Sequence, residues 1–156
     1  SGYKYRIKTK TESWNPTWLK REWWVQVIPN NLIVNEWRIH IFQGRSIGRG
    51  LKVQTGDAVR VQPVRNRDNG WTLVHNVDPS PYVRNTAAVA VKAVGYNFGA
   101  VDLFELADNQ CVILEVNSAP ALGSDYTFGI YHNAISKLAA GKWLEWRDKD
   151  FTKDNV

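Results

Sequence analysis

Residues 97–122, NFGAVDLFELADNQCVILEVNSAPAL, constrain this chain more than any other stretch. Two apolar runs, 100–106 and 111–117, flank a polar tip at Asp108 and Asn109. Such a pair between alternating apolar residues is a hairpin signal. With those two residues at the tip, Ala107 pairs with Gln110 and every earlier step pairs outward. That register sets Asp102 opposite Glu115, with Asn117 two residues further along the same face. Val101, Leu103, Ile113 and Val116 flank the three oxygen-bearing side chains. A slip of one residue would send Asp102 to the opposite face from Glu115, so the pairing is a sharp expectation.

Two carboxylates facing each other across a sheet repel unless positive charge lies between them. The sequence leaves two readings open here. One is an amphipathic hairpin whose polar face meets water. The other is a hard divalent cation, of which magnesium on the phosphates of a nucleotide needs few protein ligands.

The 156 residues allow one domain with a real core. Eight tryptophans are many for this length, and Trp14, Trp18, Trp23, Trp24, Trp143 and Trp146 lie towards the ends. They are core filler or surfaces that pack on something else. Cys111 is the lone cysteine, so no disulfide framework exists and a reducing, cytoplasmic setting is expected. No apolar run is long enough for a bilayer, and no signal peptide is evident. The start at Ser1-Gly2, with no methionine anywhere, reads as a cleavage scar on a fragment or as a short form. A net charge of +5 favours anionic partners.

Along the chain, residues 3–10 suit an edge strand and 22–28 a further strand closed by Pro29. Residues 32–42 alternate, with Glu36, Arg38 and His40 on one face and Trp37, Ile39 and Ile41 on the other. A two-residue turn at Gln43-Gly44 returns the chain and would pair Arg38 with Arg49. Like charges so placed call for an anion or for Glu36. Arg45, Arg49, Lys52, Arg60, Arg65 and Arg67 face only Asp57 and Asp68 in the same stretch, which is the basic concentration of the chain. The glycines Gly44, Gly48 and Gly50 lack a Gly-Lys-Ser/Thr ending and suit strand irregularities better than a phosphate loop.

Ser80-Pro81 opens a helix with Val83, Ala87, Ala90, Val91 and Val94 at helical spacing and Gly95 as its stop. A second helix begins near Ser124-Asp125, carries Phe128, Tyr131, Ile135 and Leu138 on one side, and ends at Gly141. The fold class expected is α+β, an antiparallel sheet with two helices.

Segments WWVQVIP, NEWRIHIFQGRSI, VRNRDNGW, VRNTAAVAVKAVGYNFGAVDLF and VILEVNSAPAL together resemble the C-terminal lobe of ATP-grasp enzymes, over roughly residues 23–141. The central part is similar to that superfamily's metal hairpin: Asp, then Glu-x-Asn, then a small-Pro-small-Leu turn. The likeness extends to bacteriophage-encoded members grouped with carboxylate–amine ligases, which use ATP to turn a carboxylate into an acyl phosphate that an amine attacks. It implies Asp102, Glu115 and Asn117 as magnesium ligands and Trp24, Val25, Gln26, Val27 and Ile28, up to Pro29, as a hinge holding adenine. Arg38 would be the catalytic arginine near the phosphates, with Lys52 assisting. ATP and Mg2+ are the implied cofactors, and a small-molecule or peptide carboxylate the implied partner.

The resemblance leaves the family's N-terminal lobe and glycine-rich flap without a counterpart. The expected organisation is therefore residues 1–22 as an edge strand and turn left from such a lobe, 23–141 as the ATP-grasp-like lobe, and 142–156 as a charged tail. A chain of this kind is expected to turn over little alone and to need its other lobe or a homo-oligomer. The rival reading is a non-catalytic module whose basic stretch binds nucleic acid or an acidic host protein.

Overall fold

The structure is a computed structural model that describes residues 5–8, 23–26, 28–55, 65, 67–107 and 110–145. The chain divides into two compact units, Ser1–Ile33 and Val34–Val156. In the first, strands β1 (Tyr5–Lys8) and β2 (Trp23–Gln26) pair in parallel. A single turn of 3-10 helix follows at Asn30–Leu32.

The second unit is built on a five-stranded sheet. Its strands are β3 (Ile33–Phe42), β4 (Arg45–Gln54), β5 (Trp71–Val74), β6 (Phe98–Leu106) and β7 (Cys111–Asn117), in the order β5-β4-β3-β6-β7. The hairpins β3–β4, β4–β5 and β6–β7 are antiparallel. Helix α1 (Pro81–Ala93) starts where Ser80 accepts a hydrogen bond from the Val83 amide, and α2 (Asp125–Ala139) is capped the same way by Ser124 on Thr127. Pro81 takes the first helical position, where its absent N–H costs nothing. Gly95 and Gly141 follow the two helices with positive φ.

Alternation on β3 sorts its side chains between two layers. Trp37, Ile39 and Ile41, with Val101 and Leu103 of β6, form one core with Val83, Ala87 and Val91 of α1. A second cluster gathers Phe42, Ile47, Tyr131, Ala134 and Trp143. Trp143 meets Phe42 edge to face at 5.1 Å and carries the Arg45 guanidinium at 5.9 Å, so this tryptophan is core.

Of the stripe expected on helix α2, Tyr131 is buried and the other three residues are not. Phe128 and Ile135 are 57% and 54% exposed, and Leu138 is exposed too, while Thr127, Tyr131 and Ala134 face inward. The reason is small residues on both sides of the contact. Gly48 on β4 leaves room for Ile130, whose Cδ1 would lie 2.2 Å from any Cβ placed there, and Thr127 and Ala134 add little bulk. Val94, expected on the buried face of α1, is exposed because it lies beyond the last helical turn.

Two bulges set the registers that matter. In β3–β4 the turn has φ of 48° at Gln43 and 76° at Gly44, as a tight hairpin requires. Phe42 pairs with Arg45 and Ile41 with Ser46, but His40 then pairs with Gly48, leaving Ile47 as an extra residue. Arg38 therefore faces Gly50, and the expected Arg38–Arg49 pair does not form. In β6–β7 Glu105 pairs with Cys111 and the Leu106 amide donates to Gln110 at 2.8 Å. Ala107 is thus in the connection and not opposite Gln110; the tip, Asp108 and Asn109, lies outside the described residues. A bulge leaving Leu114 unmatched then returns the pairing to the expected one: Asp102 opposite Glu115, Val101 opposite Val116 and Ala100 opposite Asn117.

Candidate functional site

The face of the sheet opposite α1 carries Glu36, Arg38, Lys52, Asp102 and Glu115, arranged in rows across the strands. Arg38 lies on β3 and Asp102 on its neighbour β6. Arg38 Nε donates to Asp102 Oδ1 at 2.8 Å and the same guanidinium donates to Oδ2 at 2.7 Å. This two-bonded fork is the strong form of a guanidinium–carboxylate contact. The hydrogen bond to Asp102 holds the Arg38 pKa above its ordinary value, so its charge is permanent. Glu115 stands across from Asp102 on the exposed edge strand β7, with Asn117 two residues on. Asn117 Oδ1 accepts from the Ala119 amide at 2.9 Å, which fixes the amide at the start of the turn through Ala119-Pro120.

One row over, the β3–β4 bulge brings Lys52 beside Glu36. Glu36 is 4% exposed; Lys52 Nζ donates to its Oε1, and Arg65 Nη1 lies 3.5 Å from its Oε2. Arg65 also lies over the rings of Trp71, at 4.8 Å, and Phe104, at 5.3 Å. His40, the third polar residue of that β3 face, packs under α2 with its ring edge-on to Tyr131 at 5.6 Å. Burial first, and then the charge of Arg38, lowers its pKa to about 4, so the imidazole is neutral at pH 7. Of the expected basic stretch, Arg49 pairs with Asp78 at 3.0 Å, and Lys52 and Arg65 both address Glu36. Arg60 and residue 66 lie outside the described residues.

A group that sequence pattern did not single out is Glu105. Its Oε2 accepts from the Trp37 indole at 2.8 Å and from Asn35 Nδ2 at 2.8 Å, which closes the end of the α1 core. The signal available was weak: a glutamate in phase with Val101 and Leu103 on an otherwise apolar face. Cys111 is half-buried with its thiol pKa raised by burial, which suits a packing role and not a nucleophile. Of the expected hinge, Trp24, Val25 and Gln26 belong to or border β2, Val27 lies outside the described residues, and Ile28 precedes the Asn30–Leu32 turn.

The fit of a magnesium ion can be judged from the donors. Asp102, Glu115 and Asn117 offer only hard oxygen atoms, two of them anionic, which is the chemistry that ion takes. An ionised carboxylate has about four acceptor positions, and Arg38 uses two on Asp102, so the fork does not exhaust it. Among the described residues, no group of three or more His, Cys, Asp or Glu side chains could hold a metal. The present set has two carboxylates and an amide, as suits an ion whose remaining ligands come from phosphate and water.

No family profile matches the chain. Over 72 residues, 46% of this chain, it is 38% identical to a probable alpha-L-glutamate ligase of Marinobacter nauticus, and it spans 22% of that protein. Among solved structures it is similar to the D-alanine–D-alanine ligase of Bacillus anthracis, with a TM-score of 0.50 and 18% identity over 80% of this chain and 43% of that one. It is also similar to the ATP-grasp ligase PsnB complexed with minimal precursor, Mg and ADP, with a TM-score of 0.48 and 16% identity over 66% of this chain and 33% of that one. The fold is α+β, with a five-stranded sheet and two helices, and is similar to that of part of the Bacillus anthracis ligase. The chain thus spans about a fifth of the length of the probable alpha-L-glutamate ligase it matches. No helix among the described residues is long and apolar enough to cross a membrane.

Proposed function

We propose that the row Arg38, Asp102, Glu115 and Asn117 is the magnesium–nucleotide site of an ATP-dependent carboxylate–amine ligase, of the bacteriophage-encoded kind that the sequence resembles. The observation that carries the reading is the pairing of Asp102 with Glu115 across β6 and β7; the Arg38 fork engages both Asp102 oxygens, which an ion would have to share. Asp102, Glu115 and Asn117 would hold the ion, which when bound neutralises phosphate oxygens and polarises them. Arg38 orients Asp102 and brings a permanent positive charge beside it, where charge spreading over phosphoryl oxygens is stabilised. His40, buried and neutral, adds no competing charge to Arg38. Lys52 contributes a second cation one row away. A small-molecule or peptide carboxylate is the partner to be joined to an amine.

Calorimetric titration with Mg-ATP tests the site. The wild-type chain is expected to bind at least about tenfold more tightly than an Asp102→Asn/Glu115→Gln variant, since two ion ligands are removed. Superimposable isotherms from the two proteins would remove the support for the metal site.

A further inference from the structure

We propose that Glu36 is a positioning residue that aligns Lys52 and Arg65 into a pair gripping a polyphosphate chain. Only the identity of that ligand rests on the magnesium–nucleotide reading; the structural grounds are separate. Glu36 is 4% exposed and is addressed by two cations from different elements, Lys52 on β4 and Arg65 on the loop before β5. The Arg65 approach of 3.5 Å is within ion-pair range but too long for a hydrogen bond, and the buried Oε2 makes none. The Trp71 and Phe104 rings fix the plane of the Arg65 guanidinium. Glu36 precedes Arg38 by two residues on β3, and Phe104 follows Asp102 by two on β6, so the cluster occupies the next row of the same sheet face.

A buried cluster of this composition is a poor means of holding a sheet together. Apolar side chains of similar volume are often as stabilising, because each buried charge loses its hydration. What the cluster does provide is fixed cationic geometry next to the oxygen donors. An arginine fork and a lysine point charge are the two side-chain types that take phosphate oxygens, and a shared buried carboxylate holds both in register.

The test uses inorganic tripolyphosphate in the presence of a chelator, titrated into the full chain. If Glu36 only added negative charge, Glu36→Gln would tighten binding of the anion. A positioning role predicts the reverse sign: about tenfold weaker binding, from one disordered charge-assisted contact. Arg65→Lys, which keeps the charge opposite Glu36 but loses the fork, is expected to weaken binding similarly and decides the matter if Glu36→Gln does not fold. Wild-type protein that ignores tripolyphosphate, Glu36→Gln that binds equally or more tightly, or Arg65→Lys that binds as wild type would each overturn the proposal. The Asp102→Asn/Glu115→Gln variant separates the two ideas. It should bind tripolyphosphate at least as tightly as wild type while losing Mn2+; retained Mn2+ binding would sink the metal reading and leave the polyphosphate result standing.

Discussion

His40 lies two residues from Arg38 on the same face of β3, yet the two side chains meet opposite surroundings. Arg38 has its charge stabilised by Asp102, whereas His40 is 4% exposed beneath α2 and has its charged form disfavoured by burial, by Arg38 and by His75, with Asp102 opposing weakly. A histidine held near 4 in the folded chain and near 6.5 unfolded leaves stability intact above about pH 6.5. As pH falls from there towards 4, the unfolded chain binds a proton that the folded one refuses, and about 3 kcal/mol of stability is lost. Urea denaturation at pH 7 and pH 4.5 should show the fall, and His40→Asn should flatten it. Equal slopes in the two proteins would place the acid sensitivity elsewhere. Nothing in the alternation of residues 32–42 distinguishes His40 from Arg38; the difference arises from α2, a helix more than eighty residues later in the chain.

At the scale of elements, the hairpin β6–β7 carries the proposed site, and its register was readable for a reason that proved incomplete. The expected two-residue tip and the observed pairing agree at Asp102 and Glu115 because two irregularities offset one another: a longer connection and the bulge at Leu114. Bulges leave little trace in a hydrophobic pattern, and the same blindness produced the expected Arg38–Arg49 pair that the Ile47 bulge replaces with Glu36–Lys52. Gly99 offers a probe of this element. A Cβ there would stand 2.9 Å from the Asn117 carbonyl oxygen, a backbone atom that cannot swing aside. Gly99→Ala is expected to cost about 1–3 kcal/mol by overpacking and to weaken Mg-ATP binding by displacing Asn117. At Gly48 the close atom is the tip of Ile130, which can turn, so Gly48→Ala should cost less and leave Mg-ATP binding unchanged. Denaturation curves and titrations on the two variants check both halves.

At the scale of the whole molecule, the order of strands and helices and the α1 core were legible in periodicity, caps and turns. The face of α2 was legible only in part: Tyr131 of the expected stripe is buried, whereas Phe128, Ile135 and Leu138 are exposed, since spacing alone does not say which side of a helix meets the sheet. The Glu36–Lys52–Arg65 cluster escaped for a related reason: its members are joined by register and loop path, not by spacing. The part of this chain that resembles the Bacillus anthracis protein covers 43% of it. Asp102 and Glu115 are proposed to hold one divalent cation jointly. Electron paramagnetic resonance of Mn2+ titrated into the wild-type chain, into Asp102→Asn and into Glu115→Gln measures it directly. The account predicts one bound Mn2+ in the wild type and about tenfold or greater loss of affinity in each single variant. Equal Mn2+ binding by all three proteins would contradict it.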